Sequence, residues 1–289
     1  MLRSMGARIT SLVSDDRFRF AIVVGFSLSV GIISWMTMPK GGLDMRDDIL
    51  PSLQNWRAPW EEGTPLFPWA TLILMPLRFF TSRMATAILN SLSVVLIALL
   101  IKRYDGNVLF TIPVMLSPFG YWLFATGQTD AVVLASIFLP SGFDLLLFWK
   151  PQVIAQAFWV RGLAQPKIYL ISSIALFAVS LLIWGFWPKD ILQFGQEQLI
   201  GGWWNRSLWP YGIPMGLLMI YWSLKKKDDG YGVIASPLLF PYVNGPSYIG
   251  LVAVVAAKWP KFFGLCIAIF LLYLALIIFM PNLQLPRPY

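Results

Sequence analysis

The amino-acid sequence predicts an all-α, polytopic transmembrane helical bundle that forms a single domain over residues 1–289. Two features of the composition lead to this prediction. Charged residues make up 12% of the chain, whereas soluble domains carry about 25%. The mean hydropathy is +0.67, and the apolar residues are gathered in runs. At roughly 20 residues for each crossing, these runs predict about eight to ten membrane segments, some of them short or broken.

The composition also excludes several classes of function. The formal net charge is +8, but the basic residues are spread over short loops without a basic tract, so nucleic acid is not an expected partner. The chain contains no histidine, and imidazole is therefore neither a base nor a metal ligand here. A single cysteine, Cys266, excludes an internal disulfide and a multi-cysteine metal site.

The first predicted span is Phe18–Met38, and the charges around its start set its orientation. Arginines cluster there, so the positive-inside rule places the N-terminus in the cytoplasm. We interpret this span as retained, because no small-residue cleavage site of a signal peptide follows it. Residues 39–65 then form the first extracytoplasmic loop, and residues 188–206 form the second.

Further apolar segments follow in order, and several are short. The segment Leu66–Phe80 has about 15 residues, which is short for a bilayer core. We expect it to lie in or dip into the outer leaflet, because a full crossing would place Lys102 and Arg103 outside. The later predicted segments are Met84–Ile101, Val108–Ala125, Pro151–Val160, Ile168–Trp187, Leu208–Leu224, Tyr231–Tyr242, Pro246–Ala257 and Phe262–Met280.

The stretch from Asp130 to Lys150 predicts a different element. Two apolar pieces of about 7 to 10 residues flank Pro140, Ser141 and Gly142, and each is too short to span. Irregular backbone at membrane depth is tolerated only where protein buries it or where it lines a cavity. A broken or re-entrant hairpin is therefore expected.

The first extracytoplasmic loop is the predicted place of any chemistry. Asp44, Asp47 and Asp48 follow the first span closely, and on a helix Asp44 and Asp48 share a face at a spacing of four. Neighbouring carboxylates raise one another's pKa, which suits a general base, or they hold a divalent cation together. The alternative is a solvated loop helix in which Arg46 is the local counter-charge.

Polar residues within the apolar part form a second group of candidates. Lys150 is a cation in an apolar run, which makes it a functional-site hypothesis by default, and snorkelling to an interface is the alternative. Pro151 begins a helix there, whose free N–H groups favour an anion. Gln128 and Asp130 open another helix, where capping alone could explain Asp130. Asp144 is a candidate partner for Lys150.

Polar and aromatic residues meet in the motif WWNRSLWPYG. Such a cluster is typical of an aromatic belt at the outer interface. The alternative is a platform for a sugar or a lipid headgroup. The residues concerned are Trp203, Trp204, Asn205, Arg206, Ser207, Trp209 and Tyr211.

The order of short motifs along the chain carries a resemblance to a known family. The motifs are GGLD, EGTPLFPW, TGQTD, FWKPQ, WWNRS and ASPLLFPYV, and they occur over about residues 35–245. This order resembles the GT-C superfamily of integral-membrane glycosyltransferases, and within it the bacterial branch that uses polyprenyl-phosphate sugars such as polyprenyl-phosphate-mannose.

The resemblance implies an active site at the outer membrane face. Asp44 matches the essential acidic residue of the family's first outer loop. The family's Gly-Gln segment matches Gln128, with Asp130 near it, and its Lys-Pro matches Lys150, where the lysine meets the donor phosphate. The family's Asn-x-Ser matches Asn205 and Ser207.

Together these features predict transfer of a sugar from a polyprenyl-phosphate-linked donor to an acceptor outside a bacterial or archaeal plasma membrane. Asp44 would be the base, supported by Asp47 and Asp48, while Lys150 and Arg206 would offset phosphate charge. No cofactor is certain, and a divalent cation, Mg²⁺ or Mn²⁺, is the candidate. The alternatives are a non-catalytic subunit of a larger membrane-protein complex and a transporter of lipids or sugar-lipids. The residues expected to line the substrate are Gln128, Asp130, Asn205, Ser207, Trp203 and Trp204.

Overall fold

The computed structural model describes residues 15–62, 67–190 and 205–279. Within these ranges the chain is helical and has no β-strand, which confirms the predicted all-α class. The α-helices are α1 Asp16–Thr37, α2 Leu50–Gln54, α3 Pro68–Leu74, α4 Ser82–Arg103, α5 Thr111–Met115, α6 Pro118–Thr126, α7 Asp130–Leu134, α8 Pro151–Ala164, α9 Pro166–Trp184, α10 Ile213–Lys226, α11 Asp229–Leu239, α12 Ile249–Lys258 and α13 Pro260–Phe279.

Shorter helical segments link several of these helices. One of them, Met45–Ile49, has the wider π-helical turn. The 3-10 segments are Pro59–Glu62, Met75–Phe79, Val108–Phe110, Ala135–Phe138, Phe143–Leu147 and Gly245–Tyr248.

Three helices, α1, α4 and α9, are long and apolar enough to cross a membrane, which indicates a membrane protein. The pair Val108–Met115 and Pro118–Thr126, bent by 73°, makes a fourth if it counts as one span. Two further apolar stretches, Gly245–Lys258 and Pro260–Leu272, are shorter, where α13 is counted only as far as the structure describes its side chains. The number of eight to ten membrane segments therefore stays a prediction.

Helices α1 and α4 pack side by side in opposite directions. Ser27 Oγ donates to the Ser91 carbonyl at 2.8 Å, and Ser91 Oγ donates back to the Ser27 carbonyl at 3.0 Å. A Cβ built on Gly31 would lie 2.1 Å from Ser91 Oγ, so glycine permits this close approach. Small residues and serine hydroxyls are typical of helix pairs packed within a membrane.

Contacts at the two ends of this helix pair show the direction of α4 relative to α1. Lys102 forms an ion pair with Asp16 at one end, and Arg83 donates to the Trp35 carbonyl at the other. The chain between α1 and α4 therefore returns to the end at which α1 finished. The short helices α3 and Met75–Phe79 lie in this connection, as expected for a segment that does not cross.

Basic residues collect at the end that holds Asp16, which we call the basic end. Arg103 and the Tyr104 hydroxyl bind Asp229 at 3.1 and 3.0 Å, which joins α4 to α11. Lys258, at the end of α12, pairs with Asp228. Lys225 and Lys226 end α10 and Lys227 caps it, which adds three lysines at the same end. The opposite end of the helices, where α1 finishes, is called the site end.

Residues 128–150 form a hairpin, and its entry into a membrane stays a prediction. Helix α7 and the segment Ala135–Phe138 leave the site end, and Phe143–Leu147 returns to it. The base is closed by Lys150 Nζ, 2.8 Å from Asp130 Oδ2, and by Trp149 Nε1, which donates to Thr129 Oγ1 at 3.2 Å. The hairpin thus brings two predicted site residues together.

The predicted pairing of Asp144 with Lys150 is wrong. Asp144 lies near the tip of the hairpin, where it binds Arg161 at 2.8 Å and accepts hydrogen bonds from the Tyr169 hydroxyl and the Gly142 N–H. Arg161 is ten residues along α8 from Pro151, which is about 15 Å of helix. The fold of the hairpin separates the two residues that are close in sequence.

Candidate functional site

Asp130 is the buried centre of the candidate site. Its side chain is fully buried; Oδ2 binds Lys150 at 2.8 Å, and Oδ1 accepts a hydrogen bond from Ser247 Oγ at 2.7 Å. Lys150 also donates to Gln128 Oε1. The carboxylate of Asp130 is thus engaged in side-chain contacts, and the helix-capping alternative is wrong. The capping position belongs to Thr129, whose side chain makes no capping bond.

Lys150 does not snorkel to the surface. Its side chain is 14% exposed, and its ammonium group donates to Asp130 and Gln128. A lysine has three N–H donors, so the two contacts leave one for a further acceptor. Burial raises the pKa of Asp44 and of Asp48, and the lysine charge opposes both increases, which places all three groups in one electrostatic neighbourhood.

Two glycines lead the chain from α1 to Asp44. Gly41 has a φ of +84°, a backbone conformation that suits glycine. The Gly42 N–H donates to Thr86 Oγ1 at 2.9 Å, and a Cβ at this position would lie 2.7 Å from the backbone N of Gly127. The loop therefore lies directly against the backbone of residues 126–127, beside Gln128 and the base of the hairpin.

The Asp44 carboxyl is half-buried and titrates near neutral pH. Burial raises its pKa to about 7, with further increases from the charges of Asp48, Asp130 and Asp47, while Lys150 opposes the rise. Burial also raises the pKa of Asp48 to about 6. Asp44 can therefore exchange a proton near neutral pH, as a general base requires.

Asp47 differs from its two neighbours. It is exposed and forms an ion pair with Arg46, and the hydrogen bond from that arginine lowers the pKa of the Asp47 carboxyl. For Asp47 the counter-charge alternative is thus correct. In the π-helical turn that contains it, the Leu50 N–H bonds to the Met45 carbonyl, and Asp47 faces outward while Asp44 and Asp48 are half-buried.

Asn205 and Ser207 hold another segment of the site in place. Asn205 Oδ1 accepts from the Val243 N–H at 3.1 Å, Asn205 Nδ2 donates to the Pro241 carbonyl at 3.0 Å, and Ser207 Oγ donates to the Phe240 carbonyl. These contacts support the backbone, and the lining of a substrate by Asn205 and Ser207 stays a prediction.

Residues 240–243, which these contacts hold in place, include Tyr242, a site residue not expected from the sequence. Burial raises the pKa of its hydroxyl, and the charges of Asp44, Asp130 and Asp48 add to the increase. The hydroxyl group therefore belongs to the same neighbourhood as the three carboxylates. Its position beside Asn244, between prolines 241 and 246, was the only signal in the sequence.

Arg206 lies on a separate feature that we call the arginine crevice. Its exposed guanidinium is 5.8 Å from the centre of the Trp122 ring, and both residues line a crevice of about 590 Å³. Apart from Arg206 the wall is largely apolar, and it includes Phe119, Leu208, Tyr248 and Leu251. The segment Gly245–Tyr248 lies between the crevice and the charged site, because Gly245 and Tyr248 line the crevice while Ser247 binds Asp130.

Trp203 and Trp204 lie outside the described residues, as does most of the predicted second loop, since residues 191–204 are not described. In the ranges that are described, no group of three or more acidic or cysteine side chains is placed to hold a metal ion. Asp44 and Asp48 are a pair, and the divalent cation stays a prediction without a built site among these residues.

Comparisons with models of protein families, with curated proteins and with solved structures found no match for this chain. The likeness to the GT-C superfamily therefore stays a prediction from the motifs. A function for the chain has to be inferred from its own residues and their geometry.

Proposed function

We propose that the protein is a membrane glycosyltransferase that moves a sugar from a polyprenyl-phosphate-linked donor to an acceptor hydroxyl at the extracytoplasmic face. One observation carries the proposal. Burial raises the pKa of the half-buried Asp44 carboxyl to about 7, and the charges of Lys150 and Asp130, which form an ion pair, act on it at the end of the helices opposite the basic end. The site combines a proton acceptor with a cation that has a free donor.

Asp44 acts as the general base in this proposal. The acceptor oxygen bonds to the anomeric carbon as its proton passes to the Asp44 carboxylate. The bond between the anomeric carbon and the phosphate oxygen breaks, and its electron pair leaves with the polyprenyl phosphate. A base is most effective when its pKa lies near the working pH, and the pKa of about 7 meets that condition.

Lys150 and Arg206 both offset the negative charge of the donor phosphate in this proposal. Lys150 has one N–H left after binding Asp130 and Gln128, and donors aimed at developing charge usually supply the largest catalytic term. Arg206 presents its planar fork at the arginine crevice, and guanidinium groups match phosphate oxygens well. The apolar wall of that crevice suits the isoprenoid chain of the donor.

The end of the molecule at which the site lies supports its assignment to the extracytoplasmic face. Lysines and arginines gather at the basic end, together with the start of α1. The positive-inside rule assigns that end to the cytoplasm, so Asp44 and the base of the hairpin face outward. We assign the protein to a bacterial or archaeal plasma membrane, as the motif resemblance implies.

A non-catalytic subunit of a larger membrane complex is the second candidate. Helix α9 supports it, because most of its large apolar side chains are exposed, including Leu170, Ile174 and Leu182. The pairing of Lys150 with Asp144, which a purely structural role predicts, does not occur. A partner subunit would cover α9, whereas for an isolated enzyme the lipid bilayer covers it.

The test is a transfer assay in vesicles, with the purified full chain and a panel of polyprenyl-phosphate hexoses, mannose first. Transfer from at least one donor is expected. Arg206→Gln should raise the KM for that donor about tenfold, the value of one lost charged contact, while Arg78→Gln, an exposed arginine of Met75–Phe79, should leave it unchanged. Absence of transfer from every donor in the panel would favour the subunit instead.

A further inference from the structure

Three lysines at the end of α10 carry charge that the protein itself does not neutralise. Residues 225–227 are all exposed lysines, and none of them forms an ion pair within the part of the chain that the structure describes. The two carboxylates that follow them in sequence are engaged elsewhere, since Asp228 binds Lys258 and Asp229 binds Arg103. The three lysines therefore present an excess of positive charge at the basic end.

Aromatic side chains hold the ammonium group of Lys226 in place. Its Nζ donates to the Tyr231 hydroxyl at 2.8 Å, and it lies 4.9 Å from the centre of the Tyr231 ring and 5.7 Å from that of Trp222. The Tyr231 ring is buried and packs edge-on against Trp222 and Trp259, with ring centres 5.9 Å apart in each pair. An ammonium group has three N–H donors, so Lys226 keeps two for another acceptor. A lysine held in this way loses less side-chain entropy when it binds an anion.

An exposed apolar face of α10 leads directly to these lysines, and we call it the apolar stripe. It consists of Leu217, Tyr221 and Leu224, which share one face of the helix at spacings of four and three and are 43–56% exposed. Lys225 follows at once, and its Nζ lies 5.5 Å from the centre of the Tyr221 ring. Residues 208–224 are a predicted membrane segment, so we expect acyl chains to cover the stripe as far as the lysines.

The charge and the apolar stripe together select the kind of ligand. Lysine N–H groups bind phosphate oxygens strongly, so the lysines favour a phosphate. A soluble phosphate would use the lysines alone, whereas a phospholipid also covers the stripe with its acyl chain. A zwitterionic phospholipid brings a cation that the lysines repel, and a phospholipid with a net negative charge does not. Basic clusters at the cytoplasmic ends of membrane helices are typical of sites for such anionic lipids.

We propose that the end of α10 binds an anionic phospholipid, whose phosphate accepts hydrogen bonds from Lys226 and its two neighbouring lysines and whose acyl chain lies along the apolar stripe. The lipid neutralises charge that no carboxylate of the described chain neutralises, and it fixes the basic end at the membrane surface. This inference is independent of the proposed glycosyl transfer, because the lysines lie at the basic end and Asp44 lies at the site end.

Photolabelling of the full chain tests the inference. The protein is placed in phosphatidylcholine nanodiscs with a small fraction of phosphatidylglycerol that carries a diazirine in one acyl chain, and labelled peptides are mapped by mass spectrometry. Labelling of α10 should saturate, and unlabelled phosphatidylglycerol should compete with it. Phosphatidylcholine with the same diazirine should label α10 much less. One lysine near an anionic lipid surface is worth about fivefold in affinity, so Lys226→Gln should lower the labelling about fivefold.

Three further variants separate the charge from the packing. Lys226→Arg keeps the charge and should keep the labelling. The double variant Lys225→Gln with Lys227→Gln leaves the contact between Lys226 and Tyr231 intact, and it should lower the labelling by more than fivefold even if Lys226→Gln does not fold. Lys40→Gln is the matched control, because it removes an exposed lysine at the site end, and it should leave the labelling of α10 unchanged.

Three results would overturn the proposal. Equal labelling of α10 by the two lipid probes would show that the site does not select negative charge. Labelling that stays the same in the double variant would show that the lysines do not bind the lipid. If inorganic phosphate displaces the probe as well as unlabelled phosphatidylglycerol does at the same concentration, the lysines bind a soluble phosphate instead. Sugar transfer takes no part in this measurement, so its outcome does not depend on that of the transfer assay.

Discussion

At the scale of single residues, three aspartates within five positions have different chemistry. Asp44 and Asp48 are half-buried, and burial raises the pKa of both, whereas the exposed Asp47 is held ionised by Arg46. The sequence predicts that the three carboxylates lie close together. It does not predict which of them is buried, because that depends on the approach of Gly42 to Gly127 across the fold.

The raised pKa of Asp44 predicts a pH dependence. A base must be ionised, so kcat/KM should increase as the pH rises through about 7. Asp48→Asn removes a negative charge that raises the pKa of Asp44, and the midpoint should therefore move to lower pH. The pH profile of kcat/KM checks this for the wild type and the variant. A midpoint that Asp48→Asn leaves in place, or shifts upward, would show that another group titrates.

At the scale of the element, the hairpin was predictable and its ion pairs were not. The two short apolar arms around Pro140–Gly142 predict a hairpin because neither arm can span a bilayer. Closing its base brings Lys150 to Asp130, twenty residues earlier, and leaves Asp144 at the tip with Arg161. The short distance in sequence favoured Asp144 as the partner of Lys150, which is wrong. In a hairpin, residues near the tip lie far from the base, and the two ends of the hairpin lie next to each other.

The hairpin base predicts a specific pattern of stability. Lys150→Met leaves the fully buried Asp130 carboxylate unpaired and should cost about 3–5 kcal/mol of unfolding free energy. The double variant Lys150→Met with Asp130→Asn should recover most of that loss. Unfolding in mixed micelles measures each variant. Combining Lys150→Met with Asp144→Asn should give no recovery, and recovery there instead would contradict the assigned pairing.

At the scale of the whole molecule, charge distinguishes the two ends. Basic residues from three loops, Lys102 and Arg103, the lysines of residues 225–227, and Lys258, meet at the basic end, while Asp44, Asp48 and Asp130 meet at the other. The positive-inside rule predicts that the basic end faces the cytoplasm, and this orientation stays a prediction. The arginine crevice was not predicted, because it is formed by segments far apart in the chain, such as those that contain Trp122 and Arg206.

Labelling of single cysteines checks the orientation. Cys266→Ser provides the background, since the native cysteine is exposed. In intact vesicles of known sidedness, a membrane-impermeant maleimide should reach Lys225→Cys only from the cytoplasmic side and Lys40→Cys only from the outside. Residues 196–202 lie outside the described ranges, and the sequence predicts that they label from outside. Labelling of positions 225 and 40 from the same side would overturn the two-ended arrangement.

The transfer rate of Asp44→Asn, measured beside Asp47→Asn, tests the central claim most directly. Both changes remove one carboxylate without altering the size of the side chain. In the proposed mechanism Asp44 takes the proton of the acceptor hydroxyl, so its replacement should slow sugar transfer from a polyprenyl-phosphate donor by about 10²-fold or more, with little change in thermal stability. Asp47→Asn should slow it far less, since that carboxylate is exposed and paired with Arg46. If Asp44→Asn transfers sugar at the wild-type rate, Asp44 is not the base.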